Sequence, residues 1–324
     1  MKPIVTIDVE GATGEAVPLD RLMSMTVTDQ AGMEADQLEL TFDDRGQAIA
    51  PPAHGVILRP AIGFGSAVAL GSFAVDGVSA GAPPRTLTVR AKPVDMGKRL
   101  KEPKTRSWIA PTLGGIVEAI ALEHGLKPAV AAGIGSHTWP HLSQVGESDL
   151  NLLTRLASYF DAIAKPTSGF LVLAPKGQGR TVIGESLPTV PVTADMLSEW
   201  EWDSQDRSEY GSVLAWYRDY KSGERQPLTV GDGSPRLEMR HTYASASTAR
   251  RAALGKLNGV NRGKSTLSGS LSRGDAVLAA EGRILTTGLR PEADGLWSLT
   301  SVTHEYSGGG FITRFDAETP GDDV

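Results

Sequence analysis

The sequence predicts a mainly β fold carrying an α+β insert, and three observations predict it. Short alternating apolar runs, each closed by Gly, Pro or Asp, fill the chain up to about Lys92. Two stretches of helical spacing then follow, one from Thr112 and one from near Ser148. Strand-like runs return afterwards and continue almost to the C-terminus. The order β, α+β, β leaves open two related barrels flanking an insert.

The first region opens with Ile4-Val5-Thr6-Ile7-Asp8-Val9, apolar and β-branched. Met23 to Val27 alternates, and Gln37 to Phe42 alternates strictly before the turn signal Asp43-Asp44-Arg45-Gly46. Phe73 to Val78 and Thr86 to Ala91 repeat the pattern, so this region reads as a small barrel or sandwich. The middle region begins with Leu113, Ile116, Val117, Ile120 and Ala121 at helical spacing, with Gly125 placed as a C-terminal cap. A second helix starts near Ser148-Asp149, and Leu152, Leu153, Leu156, Ala157 and Phe160 form its apolar stripe. A strand at Phe170 to Leu173 closes the unit. In the last region Ser212 to Tyr217 reads as a strand, and Ser247 as the N-cap of a helix over Thr248 to Leu257. Further strands are read at Ala276 to Ala280, Trp297 to Thr303 and Phe311 to Phe315.

Length and composition bound the function classes. At roughly 100–200 residues per domain the chain holds two or three domains. The net charge of −6 argues against general nucleic-acid binding, which needs a basic patch. The acidic residues gather at Glu199, Glu201, Asp203, Asp206 and Glu209, and again at Asp316, Glu318, Asp322 and Asp323. Absence of cysteine excludes disulfides, thiolate metal sites and cysteine nucleophiles together. No apolar run approaches the ~18 residues of a membrane span. The N-terminus lacks the apolar core of a signal peptide, so any export is expected to proceed without one.

Several local motifs fail on geometry. Gly77-Val78-Ser79-Ala80-Gly81 matches the nucleophile-elbow spacing, but Ala82-Pro83-Pro84 and a strand follow where the elbow needs a helix. Gly259-Val260-Asn261-Arg262-Gly263-Lys264-Ser265 is one residue short of a P-loop and follows a helix rather than a strand. His137 and His141 are four apart, but Pro140 argues against a helix and no third ligand lies nearby. Carboxylates are too numerous to single out an acid/base pair. The expectation is therefore no catalytic residue, no cofactor and no metal. The aromatics Trp200, Trp202, Tyr210, Trp216, Tyr217 and Tyr220 read either as core and cross-strand pairs or as a subunit interface.

The C-terminal third carries the most specific pattern. Asp294-Gly295-Leu296-Trp297-Ser298-Leu299-Thr300-Ser301-Val302-Thr303-His304 is followed by Gly308-Gly309-Gly310 and Phe311-Ile312-Thr313-Arg314-Phe315. It reads as a turn, a strand, a glycine-rich bend and a return strand. This run resembles the ending of the phage late control gene D proteins. Glu147-Ser148-Asp149-Leu150-Asn151-Leu152-Leu153-Thr154-Arg155-Leu156-Ala157, with the strand after Gly169, is similar to the same family. The resemblance spans most of residues 1–318.

The resemblance implies a baseplate hub of a contractile tail, related to the hub part of type VI secretion spike proteins. It implies a homotrimer whose subunits each supply two tube-type β-barrels, so that six barrels form a ring. Such a ring meets a six-fold tail tube on one side and a three-fold central spike on the other. The domains expected are a first barrel over 1–95, an α+β region over 96–185, a second barrel with one helix over 186–318 and a flexible acidic tail over 319–324. Asp294, Gly295, Trp297, His304 and Thr313 match the family signature and are expected to form the fold, not to catalyse. Partners expected are the chain itself, tail tube, spike and other baseplate proteins, with no specific nucleic-acid binding and no membrane anchor. The location expected is the virion baseplate, or an equivalent injection particle, assembled in the host cytoplasm. The chain ends soon after the last strand, so the spike is expected on a separate chain. An acidic lumen would let DNA slide past without being gripped. The alternative readings are a tail-associated cell-wall hydrolase and a peptidoglycan-binding module in the middle region.

Overall fold

The computed structural model describes residues 2–10, 17–32, 36–94, 98–131, 133–167, 169–177, 188–204, 210–262 and 265–320. The N-terminal region forms β1 (Ile4–Glu10), β2 (Leu22–Gln30), β3 (Gln37–Asp43), β4 (Ile57–Gly63), β5 (Val68–Ala69), β6 (Phe73–Gly81) and β7 (Thr86–Pro93). Their alternation is the cause of the sheet: Leu38, Leu40 and Phe42 face inward while Gln37, Glu39 and Thr41 face outward. Met25, Val27, Ile62, Val75 and Val89 fill the same core.

The middle region holds β8 (Pro103–Ile109), α1 (Leu113–Glu123), β9 (Lys127–Val130), β10 (His141–Ser148), α2 (Asp149–Ser158), β11 (Ala162–Thr167) and β12 (Phe170–Pro175). Thr112 caps α1 by accepting a hydrogen bond from the Gly115 N–H, and Gly125 turns the chain away with φ +68°. Ser148 caps α2 in the same way through the Asn151 N–H. The apolar faces of both helices share one core with Trp139, Leu171 and Leu173.

The last region forms β13 (Thr189–Thr193), β14 (Leu197–Ser204), β15 (Ser212–Arg218), β16 (Arg225–Gly231), β17 (Arg236–Tyr243), α3 (Ala246–Arg262), β18 (Ser265–Leu271), β19 (Arg283–Thr287), β20 (Gly295–Ser307) and β21 (Gly310–Glu318). The strands β16-β15-β17 make a separate small sheet, and α3 packs on it through Ala249, Ala252 and Ala253. The helix begins earlier than the sequence reading placed it. Ser245, not Ser247, accepts from the Thr248 N–H.

A single 13-stranded sheet joins the two β regions in the order β1-β4-β6-β7-β3-β2-β20-β21-β18-β14, with β13-β19 added against β20. The fold is therefore mainly β with an α+β insert, as expected. Closure of either half into a barrel is not seen in the pairing of the described strands. The expected strand at Ala276 to Ala280 is a loop. Its Ala276 and Leu278 are buried in the first and second β cores respectively. Its backbone bonds to side chains (Val277 N–H to Asp275 Oδ1, Ala280 N–H to Asp29 Oδ2) instead of a ladder.

Candidate functional site

The element that ties the two β halves together is the hairpin of β20 and β21. Ser307 pairs with Gly310, leaving the two-residue loop Gly308-Gly309, and Gly310 adopts φ +118°. The pairing shifts between Leu299 and Ser301, and there the hairpin passes from one half to the other. Before the shift, Trp297 and Leu299 lie in the second β core. Beyond it, residues 301–307 pair with β2, while Tyr306 and Phe311 pack with the first core. Thr300 itself accepts the Ala31 N–H through its carbonyl and donates its hydroxyl to Asp316.

The signature residues line this hairpin. Asp294 Oδ1 accepts the Leu289 N–H at 2.9 Å, which closes the turn before Gly295. Trp297 is buried, and its indole N–H donates to the Ala293 carbonyl at 3.0 Å. Thr286 Oγ1 donates to that carbonyl as well, at 2.6 Å. His304 is 2% exposed. Its Nε2 stands 3.1 Å from the Leu278 carbonyl, which can only accept, so Nε2 carries the proton. Its Nδ1 then accepts from the Thr313 hydroxyl at 3.0 Å. Thr313 Oγ1 in turn accepts the Asp275 N–H at 3.0 Å. Burial pushes the His304 pKa down to about 4, against the upward pull of the Leu278 carbonyl and Asp275. The imidazole is thus a neutral latch between loop 272–282 and the hairpin. The hydroxyl it contacts, that of Thr313, is itself buried and tied to the Asp275 backbone.

Side-chain clasps at Lys165, at Arg262 and at Gly177, whose backbone bonds to Glu281 and Arg283, hold the middle unit and α3 against the large sheet. Lys165 of β11 donates to Asp36 Oδ1 at 2.9 Å and to the Gln30 carbonyl at 3.1 Å. Asp29 lies beside them, pushed up to about 6 by burial and by the charge of Asp36. At the second clasp Arg262, which ends α3, forks onto the carboxylate of Asp161 and also reaches Glu318 at 3.1 Å. A groove of about 680 Å³ runs past Tyr159, Asp161, Tyr243, Lys256 and Arg262 between these elements.

The middle unit has its own charged node. The Asp149 carboxylate is fully buried and takes Lys104 Nζ at 2.7 Å, Arg106 Nη2 at 2.5 Å and His124 Nε2 at 2.9 Å. Burial alone would raise its pKa, but bonds from Gln144, Lys104 and His124 outweigh that and hold it at about 2. Glu123, His124 and Asp149 lie close enough to suggest a metal site. Lys104 and Arg106 already bridge both carboxylates, so the charge a cation would supply is in place.

The motifs singled out in the sequence are scattered. Ser79 lies within β6 in a hairpin with β7, far from elbow geometry. Gly259 to Arg262 belong to α3, and Gly263 and Lys264 lie outside the described residues. His137 is packed edge-on against Trp139 and Phe160, whereas His141 is exposed, so the two do not converge on a ligand. Trp202 packs on the second β core, while Trp200 is 38% exposed. Tyr220 is 86% exposed. Asp206, Glu209, Asp322 and Asp323 lie outside the described residues. Sequence reasoning missed Asp149, Lys165 and Arg262. Their partners lie 45, 129 and 101 residues away, and no local pattern marks them.

Comparison with known proteins converges on one class. Residues 71–310 match the family model described as phage tail baseplate hub (GPD). The chain is 30% identical to the probable baseplate hub protein of Escherichia phage P2, over 94% of this chain and 90% of that one. Its fold is similar to the 43 kDa tail protein of prophage MuSo2 from Shewanella oneidensis, with TM-score 0.72, 14% identity and 98% of both chains covered. It is also similar to an E. coli component of the type VI secretion system, with TM-score 0.58, 15% identity, 98% of this chain and 77% of that one.

Proposed function

Because the chain belongs to the phage tail baseplate hub family, we propose that it works as a homotrimeric ring that joins a six-fold tail tube to a three-fold central spike. In this reading the regions 1–95 and 186–318 are the tube-like repeats, and 96–185 is a bracket outside them. Three subunits with two repeats each match six-fold and three-fold neighbours without a gap. The particle is a virion tail or an equivalent injection device, and the other partners are baseplate proteins.

The observation that carries this reading is the bent β20–β21 hairpin. One pair of strands supplies ladder to both β halves. Thrust along the tail would then pass between the halves through backbone hydrogen bonds. Asp294, Gly295, Trp297, His304 and Thr313 serve, on this proposal, to hold that hairpin in shape. The role is structural, and the P2 relative is likewise described as a hub protein.

The test is the mass of the full-length protein by light scattering after size exclusion. A mass near three times 34.2 kDa is expected. A protein that stays monomeric, alone and mixed with the tube and spike proteins of its particle, refutes the ring. Release of soluble fragments from purified peptidoglycan would instead favour a hydrolase.

A further inference from the structure

Charge is unevenly distributed along the chain. Residues 210–262 carry nine Lys/Arg against four Asp/Glu, a net of +5 in a chain of net −6, so the remainder carries −11. Much of the surplus sits on one face of the sheet β16-β15-β17. Ala215, Leu237 and Met239 point to α3. Strand alternation puts Trp216, Arg218, Arg225, Arg236 and Arg240 on the opposite face. Arg218 lies directly across from Arg225. The Arg225 guanidinium stacks 4.0 Å from the Trp216 ring centre, and the Trp216 N–H donates to Glu238 at 2.8 Å. All four arginines are exposed, and none has an ion-pair partner among the described residues.

The same chain carries a complementary surface. β14 ends the path of the large sheet and pairs only with β18 among the described strands. Glu199 and Glu201 project from one face of it, and their cross-strand neighbours are Ser270 and Ser268. No cation partners either carboxylate among the described residues. Exposed Trp200 lies between them on the other face. In an isolated copy, Arg218 facing Arg225 is a like-charge cross-strand pair, which destabilises a sheet. An anionic partner laid across them removes that cost.

We infer that the basic face around Trp216 docks on the acidic β14 edge of a second copy of this chain. The inference rests on the hub reading and names the contact that builds its ring. The two surfaces are different, so the contact is head-to-tail and each copy offers one of each. That is the arrangement that closes into a ring. The held, stacked Trp216 and Arg225 form its anchor, and the flanking arginines set the register with Glu199 and Glu201.

Charge reversal in the full-length chain tests this by light scattering over a dilution series. Glu199→Arg with Glu201→Arg, and separately Arg218→Glu with Arg225→Glu, each raise the concentration at which the trimer dissociates by roughly tenfold or more. The quadruple variant, with both faces reversed, recovers the trimer. Unchanged thermal unfolding of the dissociated variants confirms that they fold. A wild-type trimer that neither double variant weakens overturns this contact and leaves the hub reading standing. Failure of the quadruple variant to recover overturns the pairing of these two faces. A wild-type protein that never trimerises, even with tube and spike proteins, removes the hub reading itself. If the arginine variant stays trimeric but loses binding to a single-stranded oligonucleotide, the face serves a polyanion and the inference is overturned.

Discussion

His304 makes the latch on the hairpin a titratable one. Its pKa is about 4 in the folded protein against 6.5 when exposed. A depressed imidazole pKa means that the unfolded chain takes up the proton first as the pH falls. The contribution is therefore complete above pH 6.5 and is lost as pH falls towards 4. At 1.36 kcal/mol per pKa unit, the loss is about 3 kcal/mol. The perturbation is His304→Gln, whose amide keeps a donor for the Leu278 carbonyl and an acceptor for the Thr313 hydroxyl but does not titrate. Urea unfolding of both proteins is measured from pH 7.5 to pH 4. Carboxylates such as Asp29 titrate in both, so the difference between the two proteins isolates His304. That difference should shrink by about 3 kcal/mol on acidification. A difference that stays constant across the range would refute the assignment of a buried, neutral latch.

Three further substitutions follow from the packing. Trp297→Ala empties the second β core and orphans the Ala293 carbonyl of one donor, at a cost of about 3–5 kcal/mol by urea unfolding. Asp149→Ala leaves Lys104 and Arg106 with Glu123 as their only carboxylate partner and costs roughly 3 kcal/mol. The folded pKa of Asp149 is about 2 against 3.8, so its contribution is complete above pH 4 and disappears only as pH falls through 2. Because basic side chains already hold this cluster, a chelator should leave the melting temperature unchanged, and a drop would reveal a bound metal. Gly269→Ala places a methyl 2.7 Å from the Phe315 ring, which must shift, and should cost about 1–3 kcal/mol.

The parts of the fold legible in the sequence are those set by local rules. Thr112 and Ser148 are followed by helical spacing, and both prove to be caps. The glycine run at 308–310 marks the hairpin because only a tight two-residue loop fits it. The misreadings occur where tertiary contacts override pattern. Ala276 to Ala280 is apolar because it plugs two cores, and a plug looks like a strand in one dimension. β4 escaped notice because Pro60 interrupts it, yet Pro60 is paired with Ile7 near the sheet edge. Ser212 to Tyr217 reads as part of the second barrel because period two is the same in any half-buried sheet, yet it pairs in the separate sheet β16-β15-β17. The clasps at Lys165 and Arg262 were invisible because lysine and arginine on a surface have the same signature as solvated charge.

The two kinds of attachment in the molecule imply a division of mechanical roles. The β halves share a ladder, and separating them would break several backbone hydrogen bonds of β20 at once. The middle unit meets the large sheet through Lys165 with Asp36 and Gly177 with Glu281 and Arg283, and α3 meets it through Arg262, which holds Asp161 of the middle unit and Glu318 of β21. These attachments are a few side-chain contacts rather than a continuous ladder, so fewer bonds oppose their displacement. If the proposed ring transmits thrust, it needs its stiff element along the load and its compliant elements beside it. In the ring proposed above, the register shift at Thr300 would put the stiff element between the halves, and the clasps would leave the flanking units free to adjust to their neighbours.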